Sequence, residues 1–390
     1  MGVAQVAGML AIPSAVVCAP LANVSGWVAH VGALGLVWSA HLVRFAPALA
    51  WRVAPPPLVL CAAYYIALGI AWTMWRRRDV VTGSDETAIA RRARISSVLV
   101  AAVVALWIAV DPRTLVAARG DGRLHVTVLD VGQGDSIFVV FPHGSTLLVD
   151  AGGLGFSTSF DIGDRVVAAV VRDAGFRRID RLALTHGDPD HIGGAASVVR
   201  ELRPREVWEG IPVPRSEPLT RLRLDAQSAG AYWSNIYAGD RIAIDDVDVV
   251  AWNPNRPDWE RQKVRNDDSI VLELRWREVS VLLTGDIGRA PERMLTAVIP
   301  PAPVRVVKVP HHGSLTSSTD DFVRAMRPSV AVVSVGRGNH FGHPVPEVLE
   351  RYRDVGAEIF RTDRDGAVTV DSDGWGLDVQ AFTGQRLSLR

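Results

Sequence analysis

The stretch His186-Gly-Asp-Pro-Asp-His191 constrains this chain most, because it places four possible metal ligands within six residues. The apolar run Leu182–Leu184 precedes it and Ile192-Gly-Gly-Ala-Ala196 follows it, which predicts a strand, a ligand-rich loop and a helix that begins close behind. Imidazoles and carboxylates at this density destabilise a fold unless a divalent cation screens them. The alternative, a solvated acidic turn with two incidental histidines, leaves the further ligand-type residues downstream unexplained.

The first 111 residues are strongly apolar and predict membrane-spanning helices, whereas residues 112–390 predict a separate domain. A membrane-spanning helix needs about 20 apolar residues. Pro13 and Pro20 interrupt the first of four apolar windows, which a buried, kinked helix tolerates. The alternative is a cleaved signal peptide, although no basic residues follow Met1 directly. The windows are Val6–Ala22, Gly26–Val43, Leu58–Trp75 and Ile95–Val110.

The charges between the last two windows predict an orientation. Six arginines lie between Arg76 and Arg94, against three acidic residues. Short loops rich in Lys and Arg stay on the cytoplasmic side of a membrane. We therefore expect a multi-pass protein of the cell (inner) membrane, whose residues 112–390 lie outside the cytoplasm. Both cysteines, Cys18 and Cys61, lie in the apolar part, so residues 112–390 have neither disulfides nor thiolate ligands.

From residue 124 onward, short apolar strands alternate with helices, and polar clusters follow the strand ends. This pattern is typical of a mixed α/β fold. Asp286 ends the run Val281–Asp286, and two further runs lead into pairs of histidines. Six of the eight histidines in this part lie in such clusters, so imidazole and carboxylate are the predicted metal ligands. The two downstream pairs are His311 with His312, and His340 with His343.

The charge balance gives only weak support for a nucleic acid partner. Residues 122–390 carry 32 basic and 37 acidic side chains, so tight electrostatic binding of DNA is not predicted. A group of arginines around Trp208 is either a local DNA-facing patch or a solvated helix face. No phosphate-binding glycine loop is present, and we expect no nucleotide cofactor. The arginines are Arg200, Arg203, Arg205, Arg215, Arg221 and Arg223.

Six motifs resemble the metallo-β-lactamase-like domain of the ComEC family, the DNA-import channels of natural competence. Together they cover nearly all of residues 122–390 in the order found in the family, and Val6–Pro13 resembles the end of its membrane domain. Because that membrane domain is longer in the family, the chain resembles the C-terminal portion of such a protein. The motifs are Leu129-Asp-Val-Gly-Gln-Gly-Asp-Ser136, Thr185-His-Gly-Asp-Pro-Asp-His-Ile-Gly-Gly194, Asn266-Asp-Asp-Ser269, Leu283-Thr-Gly-Asp286, Lys308-Val-Pro-His-His-Gly-Ser314 and Asn339–Pro344.

The resemblance implies an αββα sandwich with a metal site along one edge, preceded by transmembrane helices. It also implies two divalent metal ions, zinc or manganese. His186 and Asp188 would bind one metal and Asp190 and His191 the other, with Asp286 bridging them. Asp188 stands where the superfamily usually has a second histidine.

Two further ligands are expected among the downstream histidines, because the superfamily's middle histidine has no counterpart between His191 and His311. His312 and His343 are the candidates, one for each metal. His311 is the alternative to His312, since two adjacent side chains rarely both point into one site. Asp150 matches a strand-end aspartate that orients ligands in the superfamily.

Four residues are candidates for a catalytic role: Asp188, Asp190, Lys308 and Asn266. Lys308 is either a phosphate contact or a solvent-facing strand residue, and Asn266 either a site residue or a turn former. For Asp130 and Asp135, a hydrogen-bonded turn is as good an explanation as a substrate role.

The resemblance implies a membrane-anchored hydrolase that cleaves DNA phosphodiester bonds during competence DNA uptake. Its partners would be DNA, membrane lipid and other competence DNA-uptake proteins. One alternative is a hydrolase of another envelope phosphodiester or of a lactone. The other is a non-catalytic channel subunit.

Overall fold

A computed structural model describes residues 2–45, 53–80, 88–153 and 160–390. The chain divides into two compact units, Met1–Val110 and Asp111–Arg390. Part of the arginine-rich loop between the last two apolar windows, residues 81–87, lies outside the described residues.

The first unit consists of long apolar helices. Among the described residues, three stretches are helical, long and apolar enough to cross a membrane: Ala19–Trp38, Leu58–Arg76 and Ile89–Val110. Large apolar side chains such as Trp27, Leu58 and Leu106 are exposed on these helices, as suits contact with lipid. The helices are α1 (Gly2–Val17), α2 (Ala19–Phe45), α3 (Leu58–Val80) and α4 (Ala88–Val110).

The first predicted window is corrected by the structure. Val6–Ala22 is not one helix, because α1 ends at Val17 and α2 begins at Ala19. Pro20 accounts for the break, since it has no N–H to donate to the carbonyl of Val16 and its ring clashes with that carbonyl. The apolar part of α1, Val6–Val16, is shorter than a membrane span.

The second unit contains two sheets. The first has nine strands in the order β16-β15-β14-β1-β2-β3-β4-β5-β6, and the second has seven in the order β13-β12-β11-β10-β9-β8-β7. The strands are β1 (Leu124–Val128), β2 (Ile137–Val140), β3 (Thr146–Val149), β4 (Arg181–Leu184), β5 (Glu206–Glu209), β6 (Tyr232–Asn235), β7 (Arg241–Ile244), β8 (Val247–Asn253), β9 (Val271–Trp276), β10 (Val279–Leu283), β11 (Val304–Lys308), β12 (Val330–Val333), β13 (Glu358–Arg361), β14 (Val368–Ser372), β15 (Leu377–Ala381) and β16 (Arg386–Leu389).

Helices cover the outer faces of both sheets. One apolar core joins the two sheets face to face, a second packs the nine-stranded sheet against its helices, and a third does the same for the seven-stranded sheet. These layers form the expected αββα sandwich. The helices are α5 (Arg113–Ala117), α6 (Ala168–Asp173), α7 (Pro189–Ile192), α8 (Ala195–Leu202), α9 (Glu217–Ser228), α10 (Arg289–Val298), α11 (Asp320–Met326), α12 (Pro346–Asp354) and α13 (Thr362–Asp365).

Strand direction brings the polar clusters to one edge of the sandwich. β3, β4 and β5 run parallel in one sheet, and β10, β11 and β12 run parallel in the other. The carboxyl ends of parallel strands meet at one edge, where ligands commonly bind in α/β proteins. Asp150 follows β3, His186 follows β4, Asp286 follows β10 and His312 follows β11. The sandwich therefore collects residues from both sheets at one place.

The arginine group around Trp208 is not a stacking surface built on that ring. Trp208 is 0% exposed and belongs to the core between the sheets. Arg200 and Arg205 lie near carboxylates, at 3.3 Å from Glu201 and 3.4 Å from Asp180. A solvated surface is therefore the better explanation for these arginines.

Candidate metal centre

The metal-loop residues are positioned by the junction of β4 and α7. Pro189 is the first residue of this short helix, a position that suits its fixed backbone angle and missing N–H. Asp190 and His191 therefore lie in one helical turn directly beyond the extended residue Asp188. Gly193 allows a close approach, because a Cβ there would lie 2.1 Å from Gly153 O. The helix start is thereby held against the loop that follows β3.

Four side chains from three segments converge beyond the strand ends. Asp190, His191, Asp286 and His312 each offer one ligand atom, and these atoms lie within 4.8 Å of one another. His191 Nε2 and His312 Nε2 are 3.3 and 3.2 Å from Asp286 Oδ2. His312 Nε2 is also 3.5 Å from Asp190 Oδ2. Two imidazoles and two carboxylates in this arrangement are a donor set suited to a divalent cation.

Several buried histidine nitrogens in and near this group have no hydrogen bonds. Among the described residues, His186 Nε2, His191 Nε2, His312 Nε2 and His343 Nδ1 are buried polar atoms without a partner. Buried polar atoms are nearly always paired in proteins, so such orphans need an explanation. A bound cation supplies one, because each nitrogen would then direct its lone pair at the metal. The residues present thus fit a metal centre.

The opposite ring nitrogens of His186, His191 and His312 are held by partners. His191 Nδ1 lies 2.7 Å from Asp150 Oδ2, and His312 Nδ1 lies 2.8 Å from Ser334 O. Thr185 Oγ1 donates to Asp150 Oδ2 at 2.6 Å and lies 3.1 Å from His186 Nδ1. With its hydrogen directed to Asp150, this hydroxyl accepts from the imidazole. Each partner fixes the tautomer with Nδ1 protonated, and Nε2 becomes the ligand atom.

A second pair of possible ligands adjoins the first group. His186 Nε2 lies 3.3 Å from Asp188 Oδ2, and the rings of His186 and His191 are 4.2 Å apart. The first group also contains Asp286, whose carboxylate is expected to bridge the two metals. The clustered His and Asp residues indicate a binuclear centre.

Electrostatic coupling prepares the donors in the absence of metal. Burial would raise the pKa of Asp286, but the charges of His312, His191 and Lys308 outweigh it and hold that pKa well below its usual range. Burial would lower the pKa of His312, but Asp286 and Asp135 raise it to about 9. Asp286 is therefore ionised at neutral pH, and a cation binding here displaces a proton from His312.

Pro310-His-His-Gly313 forms a strained turn that separates the two adjacent histidines. His311 and His312 have φ values of 48° and 53°, in the left-handed region that non-glycine residues rarely adopt. Strain of this kind costs roughly 1–3 kcal/mol per residue and persists only where the surroundings impose it. The turn buries His312 in the metal group, whereas His311 stays partly exposed and 3.2 Å from Asn266 Nδ2. His311 Nε2 is 3.9 Å from Asp286 Oδ2, outside the four-residue group.

Lys308 lies in the interior behind the metal group. Its side chain is 1% exposed, which rules out the solvent-facing interpretation. Nζ donates to Gly285 O at 2.9 Å, lies 3.4 Å from Asp286 Oδ1 and forms an ion pair with Asp135. Three acceptors satisfy the three protons of an ammonium group. In this geometry Lys308 holds the carboxylates of Asp135 and Asp286 in position, whereas a phosphate contact was expected.

Asp135 is a site residue that the sequence interpretation left open. It is buried, pairs with Lys308 and lies 3.5 Å from His312 Nδ1 and 3.9 Å from His191 Nδ1. Its place in the Leu129–Ser136 motif was the available signal. Asp130 is exposed, and its carboxylate accepts from Gly132 N within its own turn.

We expect Lys308→Met to destabilise the fold. Removing the ammonium group leaves the carboxylates of Asp135 and Asp286 buried without their cation, and breaking a buried pair costs about 3–5 kcal/mol. Thermal unfolding of the full-length chain without added metal, followed by circular dichroism, should show a midpoint lowered by roughly 10 °C. Lys263→Met, at an exposed lysine, is the matched control. An unchanged midpoint in Lys308→Met would contradict the ion-pair assignment.

His340 and His343 occupy the loop after β12. His343 is half-buried, and its ring lies 5.8 Å from that of His311. Burial, together with the charges of His312 and His311, lowers the pKa of His343 to about 4, so the ring is neutral and able to bind a metal. His340 is exposed.

Comparison with known proteins agrees with this geometry. The profile of the metallo-beta-lactamase superfamily matches residues 129–337, more than half of the chain. The protein belongs to the metallo-β-lactamase superfamily. A solved structure with that fold, YhfI from Bacillus subtilis, is 10% identical and gives a TM-score of 0.43, covering 61% of this chain and 95% of its own.

Curated relatives of this chain include competence proteins. ComE operon protein 3 of Bacillus subtilis is 31% identical over 257 residues, which are 62% of this chain and 32% of that protein. Competence protein ComA of Neisseria gonorrhoeae is 27% identical over 376 residues, 94% of this chain and 46% of that protein. These similarities confirm the resemblance to the ComEC family. The chain spans between about a third and about half of the length of these relatives.

Proposed function

We propose that this protein is a membrane-anchored, binuclear metal-dependent phosphodiesterase that cleaves DNA during competence DNA uptake. Its superfamily and its relatives support a metal-dependent hydrolase with a role in competence. The observation that carries the proposal is the group of Asp190, His191, Asp286 and His312, whose two imidazole Nε2 atoms are buried without partners. A bound cation would give both nitrogens a partner and would be neutralised by the two carboxylates.

The chain's own residues prepare this site for phosphodiester hydrolysis. Two divalent cations held there would activate water and neutralise the charge that develops on the phosphate. Asp150 and Ser334 hold His191 and His312 in the required tautomers. The exposed part of the site is the Asp188 side, since that carboxylate is accessible while His191 and His312 are buried. A substrate phosphate would therefore approach past Asp188.

The donor set favours manganese or zinc. Asp188 stands where the superfamily usually has an imidazole, so the metal position of His186 and Asp188 has more oxygen ligands. Oxygen ligands suit manganese better than nitrogen ligands alone do. Asn266 Nδ2 and His311 Nε2 lie 3.2 Å apart beside the site, and these two residues would contact the substrate.

The arginine-rich segment Arg76–Arg94 supports a topology with the second unit outside the cytoplasm. Reporter fusions at residue 83 and at Arg390 should then report opposite sides of the membrane, because the last apolar helix crosses it between them. Alkaline phosphatase and fluorescent-protein fusions at the two positions make the measurement. If both positions report the same side, Ile89–Val110 does not span the membrane.

The test of the proposed function is DNA cleavage by the full-length chain in detergent micelles. End-labelled single-stranded and duplex oligonucleotides are incubated with manganese, zinc or magnesium, or with a chelator. Product should form only with metal, and Asp190→Ala and His191→Ala should abolish it, because each removes a ligand. Turnover of a lactone or of a non-nucleotide phosphodiester without DNA cleavage would favour another hydrolase. Bound metal without turnover of any of these would indicate a non-catalytic channel subunit.

A further inference from the structure

A series of aromatic rings links the buried metal group to the surface. The ring centroids of His312 and His311 are 6.2 Å apart, those of His311 and His343 are 5.8 Å apart, and those of His343 and Phe341 are 5.8 Å apart. His312 is buried, whereas Phe341 is 62% exposed. Phe341 thus presents a large apolar ring to solvent three ring contacts from a candidate metal ligand. Nothing in the proposed chemistry of the metal group uses this ring.

The loop that carries Phe341 is firmly held. Asn339 Nδ2 donates to Gly336 O and His343 O at 3.0 and 2.7 Å. Asn339 Oδ1 accepts from the backbone N–H groups of Phe341 and His343 at 3.2 and 3.1 Å. One amide side chain therefore makes four hydrogen bonds across the loop. The exposure of Phe341 is fixed by this network and is not the result of a loose segment.

The same loop packs against the turn between β1 and β2 of the nine-stranded sheet, beside the metal group. A Cβ on Gly336 would lie 2.6 Å from Gln133 N, so glycine is needed for the close approach. Ser334 Oγ donates to Gly134 O at 2.7 Å, and Gly336 N donates to Gln133 Oε1 at 3.3 Å. These contacts tie the loop to the turn that precedes Asp135. The position of Phe341 relative to the metal group is therefore defined by both sheets.

We propose that Phe341 is a stacking platform for a base of single-stranded DNA whose backbone reaches the metal group. This inference rests on the proposed function and deepens it by naming the strand state of the substrate. A nucleobase offers a flat face to an exposed ring, and such stacking is largely independent of sequence. Bases inside a duplex already stack on both sides, so this contact favours single strands. The loop Gly336–Pro344 contains Arg337 and two histidines but no acidic residue, which suits a phosphate backbone.

The test compares two probes that differ only in their bases. One is an oligothymidylate of about 12 nucleotides, and the other is an abasic strand of the same length. Binding is measured by fluorescence anisotropy on the full-length chain in micelles, in an Asp190→Ala background that prevents cleavage. Phe341→Ala and Phe341→Tyr are compared with Trp375→Ala. Trp375 is a matched control, because it is 60% exposed and follows the end of β14 opposite the metal edge.

Phe341→Ala should weaken binding of the oligothymidylate roughly tenfold, the effect of one lost base stack, and leave the abasic strand within about twofold. Phe341→Tyr and Trp375→Ala should bind both probes as the parent does. In the cleavage-competent chain, Phe341→Ala should raise KM for single-stranded DNA with a smaller change in kcat, and should reduce the preference over duplex.

Two results would overturn the stacking role. Equal weakening of both probes by Phe341→Ala would mean that the ring only supports the loop, and an unchanged oligothymidylate affinity would mean that no base contacts it. The proposed function has its own readout, which is cleavage of the oligothymidylate by the unmutated chain with metal. Absence of that cleavage would reject the DNA substrate together with the stacking role, whereas cleavage without a Phe341 effect rejects the stacking role alone.

Discussion

Asp286→Ala is expected to release both metals and to reduce metal-dependent hydrolysis by about a thousandfold or more. Asp286 Oδ2 lies 3.3 Å from His191 Nε2, 3.2 Å from His312 Nε2 and 3.9 Å from His311 Nε2. Among the described residues, no other carboxylate oxygen lies this close to three imidazole nitrogens. Losing it removes a ligand from each expected metal position at once.

Metal content per chain, measured by mass spectrometry of the purified protein, checks this expectation together with the rate. Asp286→Asn is the second variant, because it keeps the volume of the buried side chain and separates loss of ligand from loss of fold. Asp130→Ala is the matched control, since this aspartate lies in a neighbouring turn but is exposed. Retention of two metals by both Asp286 variants would show that this carboxylate does not bridge.

The location of the candidate site at one edge of the sandwich could be predicted from the sequence, because the pattern that indicates it lies within short stretches of the chain. Each polar cluster follows an apolar run, as Asp286 follows β10 and His186 follows β4. The runs are largely apolar because these strands are buried on both faces over most of their length, a property of parallel strands covered by helices. Strand ends were therefore visible without knowledge of the strand order, and parallel pairing places them at one edge.

The orientation of individual side chains could not be predicted in the same way. Which of His311 and His312 enters the site depends on two consecutive left-handed residues, and a sequence pattern does not give the φ angle of a histidine. Lys308 has the charge of a substrate contact, but its environment depends on Asp135 from the other sheet. The pairing of Lys308 with Asp135 joins residues far apart in the chain, so no local pattern encodes it.

Some strands of the sheets have no continuous apolar run that a sequence pattern could reveal. Glu206–Glu209 begins and ends with glutamate, yet Glu209 is buried and accepts a hydrogen bond from Trp233 Nε1 at 2.9 Å. Arg241–Ile244 and Arg386–Leu389 are edge strands of their sheets and alternate exposed with partly buried residues. Edge strands carry charge that discourages pairing with other chains, which weakens their signal in the sequence.

His312→Ala and His343→Ala are each expected to lower the metal content from about two to about one per chain, with a different metal lost in each. For His312 the reason is its place in the four-residue group. For His343 the reason is a buried Nδ1 without a partner on a ring that lies 5.8 Å from His311. His340→Ala, an exposed histidine of the same loop, is the control and should keep both metals.

Double variants identify which metal each histidine holds. Asp190 and His312 are expected to bind the same metal, so Asp190→Ala combined with His312→Ala should still retain about one metal per chain. His186→Ala combined with His312→Ala should retain almost none, because these residues serve different positions. His343→Ala combined with His312→Ala should likewise retain almost none. If His343→Ala instead keeps two metals and full activity, then His311, whose Nε2 lies 3.9 Å from Asp286 Oδ2, becomes the better candidate for the ligand beside His186 and Asp188.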